Sequence, residues 1–422
     1  MRPNFLLFLC VFVLLIDFYC YKAIIGTFKK WSPKTKKVFT ITWWTVNVLL
    51  IGGVFAAIYL NLFLSARAVI LVAFFLLSVA KFMMIPFLLI DDIRRGFIKL
   101  FKTVKKSSPV VNKEEEVIEE TQVGEPISRS AFLVKAGLVA AAVPLSSLSW
   151  GIISGAYDYQ IKRRTLVLPN LPSAFDGIKL AQISDIHSGS FYNKVAVKGG
   201  VEMLMAEKPD FVFFTGDLVN NLTSEVKDYQ DIFSKVTAPL GVYSVLGNHD
   251  YGDYHFGRES SPAKVKNLQD MVKTHQLMGW DLLMNQNRRL KVDGQEIGIL
   301  GIENWGMGRF PKYGKMELAT ANTDDLPVKL LLSHDPSHWR NEVLQKYPQI
   351  DAMFAGHTHG MQFGVRLKEF QWSPVQYIYK EWAGLYAEKQ QQLYVNVGYG
   401  FLGYPGRVGI LPEITIFELK RA

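Results

Sequence analysis

The first ninety residues carry three long apolar runs, at about 4–21, 38–64 and 68–90. Each is close to the ~20 residues that take an α-helix across the hydrocarbon core of a bilayer. One such run is compatible with a buried helix in a soluble domain. Three in so short a stretch are expected to be transmembrane helices, which assigns residues 1–106 to a membrane region. A fourth, weaker run covers 131–156, with Lys135 near its start and Pro144 inside it. It is read as a fourth transmembrane helix or as an interfacial anchor. Asp17 and Lys81 fall within apolar runs, and the expectation for both is snorkelling or a place near an interface.

The connecting segments orient the helices. Residues 22–37 contain Lys22, Lys29, Lys30, Lys34, Lys36 and Lys37 and no acid, and Arg94, Arg95, Lys99, Lys102, Lys105 and Lys106 follow the third run. By the positive-inside rule both segments are cytoplasmic. With four spans, everything after the fourth lies outside the cytoplasm; with three, it lies inside. The expectation is a multi-pass protein of the cell (inner) membrane with its C-terminal domain on the extracytoplasmic side. Residues 107–130 are a polar, charged linker that includes Glu114, Glu115 and Glu116.

From about Thr165 to Ala422 the pattern changes. Short β-branched or aromatic runs recur, including 178–184, 211–215, 242–246, 296–302, 328–333, 352–355, 393–397 and 414–417. Helical stretches such as 195–207 and 263–277 lie between some of them. Strands alternating with helices imply a layered domain with helices outside a sheet core.

Charge and cysteine content narrow the function. The net charge is +9, but residues 1–155 hold 18 Lys/Arg against 9 Asp/Glu, while residues 156–422 hold 29 of each. The C-terminal domain has no basic excess, so nucleic acid is an unlikely partner and a nuclease is disfavoured. The only cysteines are Cys10 and Cys20. The C-terminal domain therefore has no disulfide framework, no thiolate nucleophile and no cysteine-based zinc site.

Its apolar runs end instead in Asp, Asn and His. They read Ser184-Asp185-Ile186-His187, Thr215-Gly216-Asp217, Gly247-Asn248-His249-Asp250, Ser333-His334-Asp335 and Gly356-His357-Thr358-His359-Gly360. Residues at like ends of several strands converge on one site. Oxygen and nitrogen donors without sulfur suit Mn, Fe, Zn or Mg. Asp185, His187, Asp217, Asn248, His334, His357 and His359 are seven potential ligands. That exceeds the needs of one ion and fits two divalent ions with a bridging carboxylate, the geometry of in-line displacement at phosphorus by a metal-bridging hydroxide. His249 is left as a general acid or phosphoryl donor, with Asp250 as its orienting partner.

These motifs, complete and in this order, resemble the calcineurin-like metallophosphoesterases over roughly residues 170–420. The resemblance implies an α+β fold, the four-layer αββα sandwich. It also implies that Asp185, His187 and His359 hold one metal, that Asn248, His334 and His357 hold the other, that Asp217 bridges them, and that His249 is catalytic. Ser333-His334-Asp335-Pro336, the Gly-His-Thr-His-Gly box, the Tyr394–Gly398 stretch and Pro412-Glu413-Ile414-Thr415 are similar to the membrane-anchored bacterial phosphoesterase branch. That branch often has Asn-Arg-Gly where this chain has Asn396-Val397-Gly398.

The expected activity is hydrolysis of a phosphodiester, phosphomonoester or pyrophosphate, on a substrate that is lipid-linked or derived from the envelope. Arg258 and Arg309 are candidate phosphate contacts. The alternative is a metal-binding scaffold of the same fold without turnover. His255, His275 and His338 lie outside the motifs and are read as structural.

Overall fold

The computed structural model describes residues 3–60, 62, 64–104, 128–308, 310–367 and 370–422. Arg309 and most of the expected linker lie outside these residues. The chain divides into two compact units, Met1–Ser149 and Trp150–Ala422.

Among the described residues, the first unit is built on four helices: α1 (Pro3–Thr27), α2 (Pro33–Tyr59), α3 (Leu64–Val104) and α4 (Arg129–Ile153). All four are long and apolar enough to cross a membrane. Helix α2 starts where Pro33 pre-sets the backbone and the Ser32 hydroxyl accepts the Thr35 amide at 3.1 Å. Helix α3 runs well past the apolar stretch. Arg94 and Arg95 pair with Asp91 one turn earlier, at 2.7 and 3.0 Å, and carry the helix on through its charged turns.

The expectation for Asp17 and Lys81 is corrected. Asp17 is fully buried and its carboxylate pairs with the Lys81 ammonium, which also donates to the Asn47 side chain. The Asn47 amide donates to the Trp43 carbonyl at 2.8 Å. The helices α1, α2 and α3 are thereby joined through one polar cluster. Neither side chain needs to reach for water, because each finds its partner in the bundle.

The second unit contains fourteen strands: β1 (Gln160–Leu168), β2 (Lys179–Ile183), β3 (Phe211–Phe214), β4 (Val242–Ser244), β5 (Asp281–Leu282), β6 (Gln286–Val292), β7 (Gln295–Gly301), β8 (Lys329–Leu332), β9 (Ala352–Ala355), β10 (Val365–Arg366), β11 (Gln371–Trp372), β12 (Gly384–Glu388), β13 (Gln391–Val395) and β14 (Glu413–Arg421). One six-stranded sheet has the order β1-β14-β2-β3-β4-β5 and the other β12-β13-β9-β8-β7-β6; β10 and β11 form a separate hairpin. Strand β1 begins five residues before the expected domain boundary and pairs with β14 from Gln160↔Glu413 to Leu168↔Arg421.

Side-chain alternation sorts the strands into layers. In β3, Phe211 and Phe213 enter the core between the sheets, while Val212 and Phe214 enter an outer core. In β9, Ala352 and Phe354 face the inter-sheet core, while Met353 and Ala355 face the other outer core. The helix α5 (Lys194–Ala206) covers the first sheet through Val197, Val201 and Leu204, helped by Met271 of the helix Pro262–Leu277. Short helical turns bring Met316, Ala319, Trp339 and Val343 over the second. Three apolar layers between four structural ones make the αββα sandwich of the expected class.

The topology places the site. Strands β2, β3 and β4 are mutually parallel in one sheet, and β8 and β9 are parallel in the other. The Gln182 amide joins the two sheets near these strand ends. It donates to the Ala355 carbonyl at 3.0 Å and to the Thr215 hydroxyl at 3.1 Å.

Candidate metal centre

The five motifs meet at these C-terminal strand ends. Asp185, His187 and His359 offer ligand atoms that all lie within 4.8 Å of one another, and so do Asp217, His334 and His357. Asp217 stands between the groups. Its Oδ2 is 3.1 Å from His334 Nε2 and 3.6 Å from His187 Nε2. One carboxylate thus lies within reach of histidines from both groups.

The backbone is bent to bring the donors together. Asp185, His187, Asp217, His357 and His359 all have left-handed φ, from 48° to 74°. Each such residue costs on the order of 1–3 kcal/mol, and such strain collects at functional sites. Two glycines allow the close approach. A Cβ at Gly356 would lie 2.2 Å from Asp185 Oδ2, and one at Gly247 would lie 2.2 Å from Asp217 Oδ1.

Hydrogen bonds behind the site orient the rings. Carbonyls face Nδ1 of His334 (Thr215, 2.7 Å) and of His187 (Val219, 3.2 Å). A proton held on Nδ1 leaves the Nε2 lone pair facing inward, as metal-bound histidines require. His187 Nε2 and His359 Nε2 are only 3.0 Å apart. His357 turns the other way, with Nδ1 3.3 Å from His334 Nε2 and Nε2 2.8 Å from the Tyr379 hydroxyl.

Asn248 lies in the neighbouring Gly247–Asp250 turn. Its amide donates to the Tyr254 hydroxyl at 3.0 Å, while its buried Oδ1 has no hydrogen-bond partner among the described residues. A buried carbonyl oxygen without a partner, beside converging imidazoles and carboxylates, is what a pair of hard or borderline cations would satisfy. The donor set fits two such ions.

The electrostatics agree. Burial pushes His187 down to about 3 and Asp185 up to about 6. Burial also opposes the cation on His334, but Asp217 and Asp185 outweigh it and raise this histidine to about 10. Burial likewise opposes the charge on Asp217, and the surrounding histidines, His334 foremost, nevertheless hold it well below the ordinary carboxylate range. Without a cation, Asp217 and His334 thus favour an ion pair, and a cation bound by the same donors would take the place of the His334 proton.

His249 lies beside both groups. Its amide donates to Asp217 Oδ1 at 2.9 Å, and its Nδ1 is 2.6 Å from the Asn220 carbonyl. The half-buried ring sits 5.0 Å from that of His187 and 4.5 Å from that of Tyr254. Asp250 is corrected as its orienting partner. The Asp250 carboxylate instead accepts the amides of Asp217, Leu218, Val219 and Gly247 at 2.8–3.2 Å. It shapes the loops that carry Asp217 and Asn248, and the Asn220 carbonyl does the orienting.

Arg258 is exposed, and its charge acts on the hydroxyls of Tyr254 and Tyr313. Three contributors were not read from the sequence. Tyr379 contacts His357, and Asp335 Oδ2 lies 3.5 Å from the same His357 nitrogen. Arg407, buried behind the His359 turn, donates to the carbonyls of Val397, Gly398 and Gly400. The only sequence signal for these was Asp335 directly following His334. Val397 itself is buried, so the guanidinium at this turn comes from Arg407.

Comparison with known proteins matches the same division of the chain. The family described as "Probable Calcineurin-like phosphoesterase, transmembrane domain" matches residues 1–156, and "Calcineurin-like phosphoesterase" matches residues 178–361. The second range contains every ligand named above. The chain belongs to the calcineurin-like metallophosphoesterases, a class of phosphoester hydrolases, and is a membrane protein.

Among its relatives is a "Transmembrane protein with metallophosphoesterase domain" of Danio rerio, 28% identical over 282 residues, covering 65% of this chain and 60% of the relative. The chain therefore spans less than two thirds of that protein. The "Uncharacterized metallophosphoesterase YkuE" of Bacillus subtilis is 29% identical over 59% of this chain and 82% of its own. The "UDP-2,3-diacylglucosamine pyrophosphatase LpxG" of Chlamydia trachomatis is 26% identical over 61% of this chain and 89% of its own.

Proposed function

We propose that this protein is a membrane-bound, two-metal phosphoesterase whose substrate is a phosphodiester or pyrophosphate carried on a lipid. The observation that carries the reading is the pair of ligand groups sharing Asp217, with His249 against them. Asp185, His187 and His359 would hold one divalent cation, and Asn248, His334 and His357 the other. Bound there, the ions would supply Lewis acidity toward a phosphoryl oxygen and an acidified water.

The protein's own groups do the rest. The Asn220 carbonyl fixes the His249 ring through Nδ1, and His249 hands a proton from Nε2 to the leaving oxygen. Arg258 and Arg309 are proposed to bind the phosphoryl group. The name of the chlamydial relative supports a lipid-linked pyrophosphate. The basic segments before α2 and at the end of α3 support a cytoplasmic place for both, which with four spans puts the active site outside the cytoplasm.

The full-length protein in detergent, loaded with Mn²⁺, should hydrolyse an aryl phosphodiester. No turnover with any divalent ion, despite stoichiometric metal binding, would replace this reading with that of a binding scaffold. Protease added to spheroplasts should cut the second unit; protection would place it in the cytoplasm.

A further inference from the structure

The hairpin of β10 and β11 follows directly on the His357–His359 turn. Its register pairs Val365 with Trp372 and Arg366 with Gln371, and the Leu367 amide closes the turn on the Phe370 carbonyl at 2.8 Å. Successive strand residues point to opposite faces, so Val365, Leu367, Phe370 and Trp372 share one face. Arg366 and Gln371 share the other. In a hairpin on a soluble protein the apolar face turns inward. Here Arg366 of the polar face turns inward to pair with buried Glu413, while Gln371 stays exposed with its amide 3.4 Å from the Ala383 carbonyl.

The apolar face is left outside. Leu367 is 68% exposed and Phe370 57%, and just beyond the hairpin Tyr377 and Ile378 are 77% and 71% exposed. So many large apolar side chains exposed together mark a surface with a partner.

The identity of the partner follows from what the hairpin is joined to. The Gly364 amide donates to the Val408 carbonyl at 2.9 Å, and the neighbouring Arg407 amide donates to the Gly151 carbonyl at 3.1 Å. Gly151 lies in the last turn of α4, where a membrane-crossing helix reaches the bilayer surface; Trp150 and Ile153 are exposed there. Beside the hairpin lies a cavity of about 440 Å³ that includes Arg164, Arg366, Leu367, Phe370 and Leu385 in its lining. The exposed Arg164, next to protruding aromatic and aliphatic side chains, matches an anionic headgroup above acyl chains.

We infer that the Val365–Trp372 hairpin, with Tyr377 and Ile378, is a membrane-docking element that seats in the headgroup layer of an anionic phospholipid bilayer. It holds the His357–Gly360 turn at the lipid surface. That this surface also delivers the substrate rests on the phosphoesterase reading; the docking does not.

The test uses the full-length protein reconstituted in phosphatidylcholine/phosphatidylglycerol vesicles, with Cys10 and Cys20 replaced by alanine. Phe370→Cys and, as a control on another face, Val265→Cys carry an environment-sensitive fluorophore. Lipids with a nitroxide near the headgroup should quench the label at 370 strongly and leave the label at 265 bright. Aqueous iodide should do the reverse. Leu367→Asp with Ile378→Asp should abolish the lipid quenching at 370 while turnover of a water-soluble aryl phosphodiester is unchanged.

Equal quenching at 370 and 265 would overturn the inference. So would shielding that follows protein density in place of lipid quencher, which would assign the face to a second copy. Failure of hydrolysis alone would remove the enzymatic reading and leave the quenching result standing.

Discussion

The His357 amide donates to both carboxylate oxygens of Asp185, at 2.9 and 3.0 Å, although the two residues are 172 positions apart. Asp185 ends a strand of one sheet, and His357 follows a strand of the other. On the two-metal reading, one carboxylate would serve as a ligand for the first ion and also anchors the turn that carries His357 and His359. Asp185→Ala should therefore empty both metal positions. His359→Ala should empty chiefly the first and His357→Ala chiefly the second. Metal content per chain, read by elemental analysis on the three purified variants, distinguishes these outcomes.

His249 is not among the ligands, and its removal should leave metal content unchanged. A general acid contributes about 10²–10⁴-fold to rate. His249→Ala should lose turnover of an aryl phosphodiester within that range. A good leaving group, which needs no proton, should restore much of it.

Asp250 should behave differently from its neighbour. Its Oδ2 accepts the Asp217 and Gly247 amides, both at 2.9 Å. Asp250→Asn puts a donor against them and should cost about 3 kcal/mol or more in stability, because buried charge-assisted hydrogen bonds are lost and amides are left unpaired. The unfolding temperature of the variant should fall clearly, whereas that of His249→Ala should barely change.

His275 gives the fold an acid limit. It is fully buried against Ser244, 2.9 Å from the hydroxyl, and burial lowers its pKa from 6.5 to about 3. The unfolded chain binds the proton and the folded chain does not. Stability is therefore lost as pH falls below 6.5, by about 1.4 kcal/mol per unit, until the folded pKa is reached. Thermal unfolding in detergent from pH 7 to 5 should show this slope, and His275→Gln should flatten it by that amount.

In the helical unit, Asp17→Ala should leave the Lys81 ammonium buried beside Asn47 alone. Breaking a buried pair costs about 3–5 kcal/mol. Asp17→Ala with Lys81→Met should recover most of the loss. Unfolding of the reconstituted protein by a denaturing detergent compares the single and double variants.

The candidate metal ligands were legible because each sits where an apolar strand stops, and the chemistry of Asp, Asn and His in that place is distinctive. The membrane helices were legible from length alone. What escaped were elements whose side chains face water. The runs Lys162-Arg163-Arg164 and Arg288-Arg289 fall in none of the expected strands, yet both lie in edge strands, β1 and β6, where charge is the usual protection against further pairing. The residues supporting the ligands escaped for another reason. Tyr379 and Arg407 reach the site from loops without periodicity, and nothing local marks their partners. The role of Asp250 was misread because adjacency to His249 says nothing about where a carboxylate points in a tight turn.

The pairing of β1 with β14 fixes the order in which this domain can assemble. Gln160 leaves the ribosome soon after α4, yet its partner Glu413 follows only after the rest of both sheets has been made. Until then β2 also lacks its neighbour on that side. The metal ligands, all between Asp185 and His359, are complete before the sheet that carries half of them is closed. On the two-metal reading, the candidate ligands could gather around an ion before β14 arrives to close the sheet.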